Sequence, residues 1–221
     1  MLVTHRMARK TKTMVCRVNS GGFTILELMI ATAIFAIILL VVTTGIITFS
    51  HQYFKGVVSS RTQATTRSIM NEVAQSIQFG GNTTIGLSNS PASGICVDGK
   101  AFSYVIGQQV SVAPKAPLHQ SYHGLVVGPA TGDCTASSIT VPKAAKLGAG
   151  QRELLGEHMR LSVLDITNTA NLYKIHVRVI YGDDDLLTNT SNFDTASCAG
   201  NTAGSQFCAV SDLTTTVQKR L

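Results

Sequence analysis

The chain has 221 residues, 44% of them hydrophobic, and a formal charge of +6. That length supports one domain, or one domain with an appendage, and excludes a large multidomain enzyme. The charge is not a nucleic-acid signature: Arg6, Arg9, Lys10, Lys12 and Arg17 all precede Gly22 with no acid among them, which leaves 13 basic against 12 acidic residues.

Behind this basic leader, Leu28 to Ile47 (LMIATAIFAIILLVVTTGII) carries no charge over 20 residues. As a helix the run measures about 30 Å, the thickness of a bilayer's hydrocarbon core. A buried helix of a soluble protein would show polar periodicity over such a length, and none is present. The run is read as membrane-spanning. The five leader charges, set against Lys55, Arg61 and Arg67 past its other end, keep the N-terminus in the cytoplasm and put the remainder outside. A secretory signal would be cut after its apolar run. Here the candidate junction, Ser20-Gly21-Gly22-Phe23, comes before it, so cutting would leave the apolar helix on the mature chain. Cys16 has no apolar run ahead of it, which argues against a lipoprotein signal.

Glu27 is the residue that bulk physics explains least comfortably. At depth in a bilayer a carboxylate costs on the order of 2.5–3.5 kcal/mol, less near the interface, and it calls for a positive partner. The bland alternative is an acid that marks the helix start, favoured by the positive end of the dipole.

The stretch Gly22-Phe23-Thr24-Ile25-Leu26-Glu27-Leu28-Met29, followed at once by the apolar run, resembles the type IV prepilin cleavage and methylation motif. The order Ile25-Leu26 reverses the commoner Leu-Ile, a swap that conserves volume. The resemblance implies that a membrane-embedded prepilin peptidase cuts between Gly22 and Phe23 and methylates the new Phe23 amine. It also implies that Glu27 meets the N-terminal amine of a neighbouring subunit on entry into a filament. A double-glycine leader of an exported peptide is the weaker match, because such leaders carry acidic and apolar residues upstream of the glycines. The implied organisation is a leader over 1–22, a membrane and assembly half-helix over 23–54, an amphipathic half-helix over 55–79 and a globular β-rich head over 80–221.

Beyond Ile47 the helical pattern continues: no proline occurs before Pro91, and the first paired glycines after the anchor are Gly80-Gly81. Phe54, Val58, Ile69, Val73 and Ile77 keep helical spacing among polar residues, a stripe suited to lying on a sheet. Thr43-Thr44-Gly45 is a weak point in the helix. Many pilins carry a mid-helix proline that melts on assembly, and this chain lacks one.

The rest reads as strands and loops. Ile95–Val97 and Lys100–Ile106 flank Asp98-Gly99, a hairpin signal because both turn residues accept positive φ. Tyr122–Val127 and Ser138–Val141 are shorter candidates. Met159–Ile166 pairs with Leu172–Tyr181, in which Tyr173, Ile175, Val177, Val179 and Tyr181 alternate with Lys174, His176 and Arg178, so one face is buried. Leu213–Lys219 closes the sheet. Segments 80–93 and 183–204, rich in Gly, Ser, Asn and Thr, read as variable surface loops. The fold class is α+β, type IV pilin-like: a long N-terminal α-helix packed on an antiparallel β-sheet, with a cysteine-bearing C-terminal region.

Past the anchor lie Cys96, Cys134, Cys198 and Cys208, an even count that points to two disulfides in an oxidising compartment. Of three connectivities, Cys198 with Cys208 across a short loop and Cys96 with Cys134 is the expected one; four buried thiols are the alternative, and the lack of a CxxC pair argues against zinc.

No phosphate loop, dinucleotide motif, HExxH or GxSxG occurs, and no enzyme assignment follows. His119 and His123 are four apart, but Pro114 and Pro117 precede them and Gly124 follows, so they read as surface histidines. Asp183, Asp184 and Asp185 form a solvated turn; calcium is the alternative, since clustered carboxylates can supply its oxygen ligands. No cofactor is otherwise expected.

The leading function is structural: a minor pilin or pseudopilin of a type IV pilus or a type II secretion-like filament. Its partners are prepilin peptidase, other pilins or pseudopilins and the membrane, with no convincing nucleic-acid site. A filament-tip module that binds a surface or takes up DNA is the alternative.

Overall fold

The computed structural model describes residues 22–110, 123–130, 134–142, 147–200 and 202–220. The basic leader and His119 lie outside them, as does Tyr122. The chain divides into two compact units, Met1–Ile47 and Thr48–Leu221. Helix α1, Ile25–Phe79, contributes residues to both.

The helix passes through Thr43-Thr44-Gly45 unbroken. The Thr43 hydroxyl donates to Leu39 O at 2.7 Å and the Thr44 hydroxyl to Leu40 O at 3.0 Å, so both polar groups are satisfied inside the helix, as a lipid environment requires. Every residue from Gly22 to Phe49 is exposed within the chain.

In the second unit the helix buries Val58, Thr62, Thr66, Ile69, Met70, Val73 and Ile77. Two of these are threonines, which interrupt an apolar pattern read by eye. Their hydroxyls donate back to Val58 O and Thr62 O at 2.8 and 2.7 Å, leaving the methyl groups to pack. Phe54, placed on the same stripe from its spacing, is 43% exposed instead. The stripe meets Ile95, Val97, Phe102, Leu125, Leu161, Ile175, Val177 and Val179 in one core. Each such side chain stabilises by roughly 1.5–3 kcal/mol on full burial, so a charge at Val73, which is 0% exposed, would break the contact between helix and sheet.

One antiparallel sheet runs β1 (Thr83–Asn89), β2 (Ala92–Val97), β3 (Lys100–Tyr104), β4 (Leu125–Pro129) and β5 (Arg152–Glu153) in sequential order. The expected hairpin is there: Asp98 and Gly99 connect β2 to β3 with φ of 46° and 76°. Strand β1 corrects the reading of 80–93 as loop. Its Thr and Leu residues pair along β2, and a register shift between Thr84 and Leu87 accommodates Gly86 at φ 73°.

The second sheet is ordered β10-β7-β6, with β6 Met159–Thr169, β7 Leu172–Tyr181 and β10 Ala209–Gln218. The β6–β7 turn uses Ala170 and Asn171, both at positive φ, so β6 runs three residues past its expected end. Alanine gives no turn signal, which hid the tight turn and the last three residues of β6, while the expected pairing with β7 is there. A two-stranded piece joins β8 (Leu187–Thr188) to β9 (Ser197–Cys198). With Ile180, Leu186, Leu187, Ala196 and Cys208 it forms a small core of its own, so 183–204 is a packed lobe where a variable loop was expected.

Ser138–Val141 is not a strand. A 3-10 turn over Ala136–Ser138 is followed by Ile139, 0% exposed, which sits in a cluster with Ala92, Cys96 and Ala101. The Thr140 amide donates to the Ser103 hydroxyl at 3.1 Å and takes no ladder position. Gly94 makes room: a Cβ there would lie 2.6 Å from Ile139 Cδ1. The two disulfides are Cys96–Cys134 and Cys198–Cys208, each with Cα atoms 5.7 Å apart.

Candidate functional site at the helix N-terminus

Gly22, Phe23 and Thr24 precede the first helical residue, Ile25. Thr24 caps the helix: its Oγ1 accepts from the Glu27 amide at 3.3 Å, and its carbonyl accepts the first helical bond, from Leu28, at 3.2 Å. Thr-x-x-Glu is the spacing of a capping box, so the residues that end the junction also start the helix. Sequence reading that weighs Glu27 alone misses this cap, although its signal stands in the spacing. Among the described residues, nothing beyond its chain neighbours lies within 4 Å of where a Gly22 Cβ would stand, and Phe23 is 77% exposed.

Glu27 occupies the first turn and is exposed. Its carboxylate stands beside the unpaired amides of the helix start, whose partial positive charge favours it. Among the described residues the apolar side chains from Leu28 to Ile47 are exposed; Leu39, at 48%, is the least exposed of the large ones. The helix is long and apolar enough to cross a membrane. The arrangement therefore presents a carboxylate one turn beyond Phe23 and an exposed apolar rod from Leu28 to Ile47.

Of the other singled-out residues, those described next belong to the second unit. Asp184 Oδ1 accepts from Arg160, and Asp183 Oδ1 accepts from Gln109 Nε2 at 2.7 Å and lies 3.2 Å from His158 Nδ1. Asp185 is exposed. Among the described residues no group of three or more His, Cys, Asp or Glu side chains is placed to hold a metal ion. His123 Nδ1 lies 3.2 Å from Glu153 Oε2. The same carboxylate accepts the amides of Gly124 and Leu125 at 2.9 Å and of Leu155 at 3.0 Å, which makes it a staple between β4 and β5. Burial pushes the Glu153 carboxyl above its ordinary range, against the pull of the Leu155, Leu125 and Gly124 amides and of His123. Sequence reading missed Arg160, which is 2% exposed; alternation with Met159 and Leu161 puts it on the polar face and gives no signal of burial.

Residues 17–43 match the family model described as the prokaryotic N-terminal methylation motif. No curated protein and no solved structure matches the chain. The matched segment contains the junction, the cap, Glu27 and most of the apolar run. The motif points to processing by prepilin peptidase, and the long apolar helix with antiparallel sheets and two disulfides fits a pilin-like α+β fold. Over residues 17–43 the chain is thus similar to type IV prepilins, a likeness confined to this N-terminal segment.

Proposed function

We propose that the chain is a minor pilin or pseudopilin, a structural and non-catalytic subunit of a type IV pilus or a type II secretion-like filament. Prepilin peptidase cuts between Gly22 and Phe23 and methylates the Phe23 amine. The mature rod waits in the cytoplasmic membrane with its head outside. It then leaves the lipid by packing beside other pilins or pseudopilins, where Glu27 of one subunit meets the amine of the next.

The observation that carries this reading is the capped helix start: Glu27 one turn beyond the Gly22–Phe23 peptide, followed by 20 uncharged residues that are all exposed. A carboxylate at the head of such a rod gains most from a cation brought by a neighbour, and the cut creates one four residues away.

The test is to express the chain with and without a prepilin peptidase and weigh the intact product. The reading requires loss of the leader up to Gly22 and one added methyl group, only when the peptidase is present. A product that keeps the leader, or that has lost the whole apolar run, overturns it.

A further inference from the structure

Four aromatic rings form a chain in the second unit, three from α1 just past Ile47 and one from the C-terminal region. Phe49 and Tyr53 stack at 6.5 Å between centroids, Tyr53 meets Phe54 edge-on at 5.9 Å, and Phe54 lies 5.5 Å from Phe207. They are large and apolar, yet exposed by 68%, 59%, 43% and 41% respectively. Phe207 comes from a distant part of the chain. It ends the 3-10 turn Ser205–Phe207 and directly precedes Cys208, whose disulfide to Cys198 fixes it.

Phe49, Tyr53 and Phe54 follow Ile47 by two, six and seven residues, about 3–10 Å of helical rise past the uncharged run. Helical side chains lean toward the N-terminus, here toward the apolar run. That depth is the headgroup layer, where aromatic rings collect. The charge pattern agrees: between Glu27 and Glu72 there is no acid, and Lys55, the first charge past the run, is exposed about 12 Å of helical rise beyond Ile47. A cation near that depth attracts anionic phospholipid headgroups.

We propose that Phe49, Tyr53, Phe54 and Phe207 form an aromatic collar that seats the head on the outer face of the bilayer before assembly. The C-terminal disulfide lobe is thus a second contact with lipid, through Phe207. The inference rests on the reading of Leu28–Ile47 as membrane-spanning.

The chain contains no tryptophan, so each introduced indole reports alone. Full-length Phe207→Trp, Phe49→Trp, Ile37→Trp and Leu172→Trp are placed in nanodiscs containing anionic phospholipid, with acyl chains brominated either near the headgroup or near the bilayer centre. Leu172 is 47% exposed and pairs with Gln218, at the opposite end of β10 from Phe207 and Ala209, so its variant serves as the control away from lipid. Bromine near the headgroup is expected to remove about half or more of the emission of Phe207→Trp and Phe49→Trp. Ile37→Trp is expected to be quenched best from the bilayer centre, and Leu172→Trp to be unaffected. If Ile37→Trp is quenched and Phe207→Trp is not, the collar is wrong and the anchor stands. Emission of Phe207→Trp that shifts to the blue without quenching, and only as chains are crowded, assigns Phe207 to a second copy and overturns the lipid contact. An unquenched Ile37→Trp removes the anchor and the collar together.

Discussion

Arg160 lies over Phe193, its guanidinium carbon 5.5 Å from the ring centroid, in a site where the arginine is 2% exposed. The guanidinium also donates to Gly182 O at 3.0 Å and to the Asp184 carboxylate, while Ser162 donates to Phe193 O. A single residue of β6 thereby ties down both the turn after β7 and the lobe that carries Cys198 and Cys208. Asp184 is 75% exposed, so its ion pair is worth at most about 1 kcal/mol. Gly182 is buried, so its carbonyl depends on Arg160 and, at 3.3 Å, on Gln109 Nε2. Arg160→Met is therefore expected to destabilise the full chain in detergent by about 2–4 kcal/mol, and Asp184→Asn by less than about 1 kcal/mol, in urea unfolding. Equal losses would mean that the ion pair dominates.

The elements with regular periods were legible: the charge-free run, the amphipathic stripe, the alternation of Leu172–Tyr181 and the Asp98-Gly99 turn. What escaped was local chemistry that imitates another class. Thr62 and Thr66 read as polar because their back-bonded hydroxyls are invisible in a sequence. Strand β1 is rich in turn-forming residues and is set by pairing with β2. The packed lobe after Gly182 depends on Arg160, which sits 22 or more residues before it, and no local pattern carries that contact. At the N-terminal site the exposed apolar rod was legible in the sequence and the cap at Thr24 was not read, although Thr24-Ile25-Leu26-Glu27 carries its spacing.

The two disulfides close loops of different length, with sequence separations of 38 for Cys96–Cys134 and 10 for Cys198–Cys208. Loop-closure entropy alone assigns roughly 4 kcal/mol to the longer and roughly 3 kcal/mol to the shorter. Cys96 is also 0% exposed, among Ala92, Ala101 and Ile139. The paired change Cys96→Ser with Cys134→Ser is expected to lower the urea midpoint more than Cys198→Ser with Cys208→Ser. The opposite ranking would show that the terminal lobe holds the head together.

Glu153 gives the head a pH dependence of definite sign. Burial raises its folded-state pKa above the unfolded one, so the folded form binds its proton more tightly. The stabilisation linked to that proton is complete below the ordinary carboxylate pKa and is lost as pH rises through the raised value. Glu153→Gln cannot titrate and should lack that fall. The difference in melting temperature between the native chain and the variant is expected to shrink with rising pH over this window. A gap that widens with pH would show that the amides of Gly124, Leu125 and Leu155 outweigh burial.

Calcium at Asp183, Asp184 and Asp185 would have to displace Arg160 and Gln109 from the first two carboxylates. Donors already in place by hydrogen bonding leave few free oxygens for an ion that favours six to eight. Chelation of calcium is expected to leave the melting temperature of the full chain unchanged. A drop on chelation that disappears in Asp183→Asn with Asp185→Asn would establish a calcium site there.

Glu27 separates a helix-start acid from an assembly contact, because two substitutions split its roles. Glu27→Gln keeps the length and the position in the first turn but removes the charge that a neighbour's amine would meet. Thr24→Ala keeps the charge and removes the side-chain cap, at about 1 kcal/mol to the helix start. A neutral side chain enters lipid more readily than a carboxylate, so Glu27→Gln is expected to reach the membrane and lose its leader as the native chain does. Pairing of a carboxylate with an amine away from water is lost only in that variant, and its recovery in sheared filaments is expected to fall at least about tenfold. Thr24→Ala should be recovered at near-native levels. Native recovery of Glu27→Gln would leave the carboxylate as a complement to the helix dipole and nothing more.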